Sequence, residues 1–156
     1  MTTGPAEVQV LRVGDDAGLH RVHALRLEVF VEEQGVPLAE ELDQRDHLPG
    51  TVHLLAVAGA ADLGTARLLA EAPGVVHVTR VAVVSAARGT GVGRVLMAQA
   101  EQIALAEHAA GGQVHVELSA QESALGFYAA LGYQIGTERY LDAGIWHRDA
   151  VKTLPG

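Results

Sequence analysis

The segment RGTGVGRVLM, Arg88 to Met97, constrains this chain more than any other. It sets Gly89, Gly91 and Gly93 at every second position between an apolar run, Val78 to Val84, and a stretch of helical period. From Gly91 to His108 the apolar set Val92, Val95, Leu96, Ala100, Ile103 and Ala104 follows that period and stops at Gly111-Gly112. A strand therefore turns through Ser85 to Gly89 into a helix whose first turn is stripped of side chains. Two familiar glycine loops do not fit. A dinucleotide fingerprint needs glycines at its first, third and sixth positions, and counting from Gly89 the sixth is Arg94. A Walker loop ends in Gly-Lys-Ser/Thr, and the only lysine here is Lys152. Two readings remain. Bare N–H groups can form a nest for a pyrophosphate, with the helix dipole adding about 0.3–1 kcal/mol and Arg88 and Arg94 adding charge-assisted contacts. Alternatively, the glycines only permit a tight turn and close helix packing.

The rest of the chain reads as alternating strands and helices. VQVLRV, residues 8 to 13, alternates as a strand, and Asp15 or Asp16 caps a helix running to about Glu33. Leu19, Val22, Leu25, Val29 and Phe30 form its apolar face, and Gly35 with Pro37 stops it. Residues 39–49 are acidic and irregular, with one short helical turn. Apolar segments at 53–58, 63–71 and 75–84, separated by Gly59 to Asp62 and by Pro73-Gly74, predict an antiparallel meander. QVHVELSA is a further strand, SALGFYAALGY a helix closing at Gly132, and Tyr133 to Lys152 predicts two more strands. The order is mixed α/β. One domain is expected over 7–153, with tails at 1–6 and 154–156.

Composition narrows the partners. A net charge of −8 with a single lysine argues against nucleic acid, whose binding depends on basic side chains neutralising phosphates. The absence of cysteine excludes a thiolate nucleophile, a disulfide framework and a thiolate metal site. Eight histidines raise a metal site, but His20/His23 and His108/His115 lack carboxylate partners at ligand spacing, so none is expected. The N-terminus carries no secretory pattern, and no apolar run approaches the ~18 residues of a membrane span, so a cytoplasmic protein is the expectation.

Three segments in order carry a resemblance. Arg88-x-x-Gly91-x-Gly93 after an apolar strand looks like the pyrophosphate motif of the GNAT N-acetyltransferases. Gln121-x-x-Ala124-x-x-Phe127-Tyr128-x-x-Leu131-Gly132-Tyr133 resembles that family's second signature, in which Asn is more usual at the first position. LRLEVFVEEQGVPLAEELDQRD and the late GIWH resemble the ElaA-like branch, where Gly-Ile-Pro is usual in place of Gly144-Ile145-Trp146. The likeness spans most of residues 7 to 152. It implies the GNAT acyl-CoA N-acyltransferase fold: a mostly antiparallel sheet with a splayed central strand pair and helices on both faces. It also implies acetyl-CoA as co-substrate and a small-molecule or peptide amine as acceptor; many members are dimers, which raises a homodimer. The backbone of Val81, Ala82 and Val83 would pair with the pantetheine arm. Arg88, Gly89, Thr90, Gly91, Val92, Gly93 and Arg94 would seat the pyrophosphate, and Gln121 would join the cofactor site.

Acetyl transfer needs a neutral amine, an oxyanion donor and a proton for the departing thiolate. Tyr128 resembles the family's general acid, a phenol that is protonated at neutral pH; a core tyrosine would carry the same helical spacing. An alkylamine of pKa ~10.4 costs roughly 4 kcal/mol to deprotonate at pH 7.5, whereas an α-amine costs less than about 1. For the base, Glu117 is one candidate, with Glu33, His147 and His77 as others and a water relay as a further route. Glu33 and His147 are also expected to touch the acceptor. Glu28, Glu32, Glu33, Glu40, Glu41, Asp43 and Asp46 crowd one segment and form either a field that attracts an ammonium or a solvated face. Two rival functions share the same motifs. One is an acyltransferase fed by acyl-carrier protein, as in acyl-homoserine lactone synthases, whose basic docking surface a −8 chain supplies poorly. The other is a non-catalytic acyl-CoA-binding module.

Overall fold

The computed structural model describes residues 7–156, so the expected tail at 1–6 lies outside the described residues. Strand β1 (Gln9–Val13) leads to Asp15, whose carboxylate accepts the Gly18 N–H at 2.7 Å and starts helix α1 (Asp16–Arg26). The predicted helix does continue to Glu33, but Leu27–Glu33 winds as a π-helix. The wider turn puts Val29 against the sheet and leaves Phe30 and Gln34 over a cavity. π-Turns recur at functional sites for this kind of re-aiming. Helix α2 (Leu38–Glu41) and a 3₁₀ turn (Gln44–His47) occupy the acidic segment.

The meander forms as its turn residues predict: β2 (Val52–Ala58), β3 (Ala61–Ala72) and β4 (Val75–Val83) pair antiparallel, with Gly59 and Gly74 at positive φ in the turns. Helix α3 (Val92–His108) then returns the chain to β5 (Gln113–Gln121), which pairs with β4 in parallel, as a crossover helix requires. Helix α4 (Leu125–Ala130) follows. The remainder holds β6 (Gln134–Ile135), β7 (Tyr140–Asp142) and β8 (Ile145–Pro155), three strands where two were expected. The extra reversal is a two-residue turn at Ala143 and Gly144, both at positive φ. Alanine is not a turn former of that type, which hid it from the sequence. β8 also runs past the expected boundary at 153, because Leu154 and Pro155 pair with Val114 and Gln113.

The sheet order is β1-β2-β3-β4-β5-β8-β6, with β7 on β8. Helix α3 lays Val92, Leu96, Met97, Ala100, Ile103 and Ala104 on one face, while Val22 and Leu25 of α1 and Val29 of the π-helix cover the other over β2 and β4. Fully burying each of the valine, leucine, isoleucine and methionine side chains among them contributes about 1.5–3 kcal/mol. Gly64 lets α3 approach, since a Cβ there would lie 2.9 Å from Leu96 Cδ1.

Two features shape the centre. β4 and β5 pair only from Val75–His77 to His115–Glu117 and part beyond that point. Arg80, at φ 53, bulges β4 so that the β3 register jumps between Thr65–Ala82 and Arg67–Thr79. Beneath the bulge lies a buried ion network. Arg26 meets Glu41 at 2.5 Å and Asp46 at 2.8 Å, and Arg67 meets Asp43 at 2.7 Å and Asp46 at 2.8 Å. Arg80 lies 3.1 Å from Glu41 and 3.2 Å from Asp43, although its Nε sits off-line for a hydrogen bond. Burial opposes ionisation of Asp46, but hydrogen bonds and charge from Arg26, with further bonds from Arg67 and His23, overcome it and hold the carboxyl far below the usual range.

Removing Asp46 takes one of two carboxylate partners from each of Arg26 and Arg67 and leaves the buried network with excess positive charge, so Asp46→Ala is expected to lower unfolding free energy by about 3 kcal/mol, read from urea midpoints. Asp46 and Asp43 both have folded pKa values below their unfolded ones. Their contribution is therefore complete above pH ~4 and is lost as pH falls further. The urea midpoint of the wild type should fall between pH 5 and pH 3, and fall less in Asp46→Ala.

Candidate active site

Where β4 and β5 part, a cavity of about 460 Å³ opens, lined by both strands, the end of the π-helix, the acidic segment, α4 and β8. Val81, Gln121, Tyr128 and His147, singled out from the sequence, all line it. Tyr128 is 6% exposed, packed edge-on to Phe127 at 5.0 Å and to Tyr133 at 5.8 Å. Its hydroxyl has no hydrogen-bond partner among the described residues. Burial pushes its pKa up to about 12, so it stays a proton donor at neutral pH. Gln121 exchanges amide contacts with Gln34, at 2.9 Å in one direction and 3.4 Å in the other. His147 is 8% exposed, and its Nδ1 lies 2.7 Å from the carbonyl of Ile145.

Between Val78 and Val83 the backbone of β4 pairs with β3 at Val78, Thr79, Ala82 and Val83, and among the described residues no strand pairs with it on the β5 side, which leaves a strand edge at the cavity. Ala82 turns its methyl into the core beneath α1, so only its backbone is available there. At the far end of that edge the chain turns into α3. Gly89 and Gly91 are at φ 78 and 92 with open space around them, and Gly91 caps α3 in the left-handed region without a side-chain cap. The N–H groups of the first turn have no intrahelical acceptor and face outward. Thr90 donates to the carbonyl of Ala87 and braces the turn. Val92 is core, and Arg94 is exposed and makes no hydrogen bond among the described residues. Gly93 has an ordinary helical φ; a Cβ there would lie 3.1 Å from the Phe127 ring. The ladder thus has two causes: conformation at Gly89 and Gly91, and packing at Gly93.

Other sequence candidates are placed differently. Glu117 does not line the cavity; its carboxylate lies 2.8 Å from His77 Nε2. His77 lines the cavity wall with that nitrogen engaged. Glu33 also lies off the cavity and forms a two-pronged pair with Arg88, whose Nε donates to the carbonyl of Val83 at 3.1 Å. That pair holds the Glu33 carboxyl below its ordinary value. The acidic segment is neither an open field nor a solvated face throughout. Glu28, Glu32 and Glu40 are exposed, but Glu41 and Asp46 are buried and, with Asp43, bound to arginines. The sequence showed nothing of Arg26, Arg67 and Arg80 as their partners, since these come from three separate elements. Gln34, Ser119 and Tyr140 also reach the site or brace it without a motif to mark them.

A strand pair that opens into a cavity, with a glycine-capped helix at one end and a buried phenol between, defines a class of acyl-transferring folds. Its family follows from the comparisons. A model for the acetyltransferase (GNAT) domain matches residues 13–154. The uncharacterized N-acetyltransferase YjcF of Bacillus subtilis is 35% identical over 129 residues, covering 82% of this chain and 87% of that one. The crystal structure of an acyl-CoA N-acyltransferase from Pseudomonas aeruginosa is 33% identical with a TM-score of 0.79, covering 94% of this chain and 99% of that one. Escherichia coli ElaA, at 28% identity and a TM-score of 0.81, covers 94% and 99%. The chain belongs to the GNAT acetyltransferase family and has its fold; the ElaA-like likeness read from the sequence has a structural counterpart. Among the described residues no helix is long and apolar enough to cross a membrane.

The two causes of the ladder separate by mutation. Gly91→Ala forces a left-handed alanine at an open site and is expected to cost about 1–2 kcal/mol. Gly93→Ala gains helix propensity of about 1 kcal/mol against a half-exposed ring that can shift, so its unfolding midpoint should stay close to wild type.

Proposed function

We propose that this protein is an N-acetyltransferase that moves the acetyl group of acetyl-CoA to the primary amine of a small molecule or peptide, by direct attack in a ternary complex. The observation that carries the reading is the open edge of β4 on the same cavity as Tyr128, a phenol without a hydrogen-bond partner among the described residues. The backbone of Val81, Ala82 and Val83 pairs with the pantetheine arm as an added strand does. The bare turn from Arg88 to Arg94 holds the pyrophosphate, where Arg88 exchanges Glu33 for a stronger anion. Gln121, fixed by Gln34, closes the wall beside the thioester.

The amine nitrogen forms its bond to the acetyl carbonyl carbon, and the carbon–sulfur bond breaks. Tyr128 gives its proton to the leaving sulfur, and the proton lost by the nitrogen restores the phenol. Burial raises the phenol to about 12, so it stays protonated until the sulfur departs, and the proton that the nitrogen loses in the same step restores it.

Calorimetric titration with acetyl-CoA tests the seat. Wild type is expected to bind at micromolar concentration, and Arg88→Glu, Gly91→Glu is expected to stay folded and lose binding. Absence of binding by the wild type sinks the reading. Tyr128→Phe is expected to bind acetyl-CoA as wild type does and to release CoA thiol about 10²-fold more slowly with an alkylamine acceptor.

A further inference from the structure

The acetyl-transfer reading leaves the base unassigned, and the geometry separates its candidates. Glu117 and His77 are engaged with each other, and Glu33 lies off the cavity whether or not Arg88 holds it. His147 stands apart. A carbonyl oxygen only accepts, so the 2.7 Å contact to Ile145 requires the proton on Nδ1 and leaves the lone pair on Nε2. Nε2 has no hydrogen-bond partner among the described residues and keeps contact with solvent, on a ring that lines the cavity. The ring lines the same cavity as Tyr128 and stands opposite Gln121 in the β5–β8 register.

The ring is also held in place. Tyr140 stacks on it with centroids 6.0 Å apart and planes 19° from parallel. The Tyr140 hydroxyl donates to Asp149 at 2.6 Å and accepts from Ser119, which pins the stacking partner at its far end. The titratable groups around His147 are Tyr140 on β7, Asp149 farther along the same face of β8, and Asp142 at the cavity's edge; β5 presents only the neutral Gln121 and Ser119.

We propose that His147 is the general base of the transfer, taking a proton from the acceptor ammonium on Nε2, and that Tyr140 is its positioning residue. The assignment rests on the acetyl-transfer reading. The ammonium gives one proton to Nε2 and becomes the neutral amine that attacks the acetyl carbon. The imidazolium returns that proton to solvent after the amide forms, and the second proton of the nitrogen passes by way of Tyr128 to the thiol.

Two measurements on the whole protein test the pair. Two-bond ¹H–¹⁵N spectra above pH 7.5 read each histidine tautomer, with His147 identified by its loss in His147→Gln. The Nδ1–H form is expected, and an Nε2–H ring overturns the assignment. Initial rates with phenethylamine, an ammonium at pH 7, and aniline, already neutral there, separate a base from a structural residue. His147→Gln should lose about 10²-fold or more in kcat/KM with phenethylamine, far less with aniline, and nothing in acetyl-CoA affinity. Its phenethylamine rate should instead climb with pH toward the acceptor's own pKa of about 10, since only the neutral amine then reacts. An equal loss with both amines, or none, overturns the proposal. Tyr140→Phe, which keeps the ring and releases it from Asp149, should lower kcat with phenethylamine and leave the KM for acetyl-CoA unchanged. Wild type that acetylates neither amine counts against acetyl transfer itself, while the tautomer still decides the geometry claimed for His147.

Discussion

Arg26, Arg67 and Arg80 come from α1, β3 and β4, and they converge on Glu41, Asp43 and Asp46 of the single acidic segment. Removing so many charges from water costs several kcal/mol per ion, and the network repays it only because each charge meets an opposite one in hydrogen-bonded geometry. The arrangement leaves little freedom. If the segment from Leu38 to His47 moved, guanidiniums in the interior would be left without partners. Arg80 also donates to the carbonyls of Glu40 and Glu41, so the same contacts hold the β4 bulge at its left-handed residue.

From that bulge the site follows. A parallel pair confined to three residues cannot keep β4 and β5 together, and the strands open toward their C-terminal ends. Ligands of α/β sheets bind at such ends, where strand order forces the chain to diverge. Here the divergence exposes a backbone edge on one side and places Gln121, Tyr128 and His147 on the other. The π-helix adds Phe30 and Gln34 from above. The cavity thus depends on a local failure of sheet pairing that a charged scaffold keeps in place.

Electrostatics around the cavity differ from what a net charge of −8 suggests. Of the carboxylates that line the cavity, Glu41 and Asp43 are paired with arginines while Glu40 and Asp142 have no ion-pair partner among the described residues, and Glu33 sits at the glycine turn against Arg88. In the proposed transfer the amine is selected by the cavity's shape and by individual groups such as Gln34, Gln121 and His147.

Local features were legible in the sequence. The strand–glycine–helix junction, the meander turns, the α3 face and the Tyr128 signature depend on residues close together in the chain, where periodicity and positive φ leave a direct imprint. The family and fold followed from three such segments in order. What the tertiary structure decided are the relations between distant residues. Ion pairs between α1, β3 and the acidic segment, the engagement of Glu117 by His77 and of Glu33 by Arg88, and the stacking of Tyr140 on His147 join positions separated in the chain. A lone Glu or His carries the same local signal whether it is solvated, paired or aimed into a cavity. Only packing assigns its partner, because partner choice is a matter of distance and desolvation, and neither is a property of neighbouring sequence.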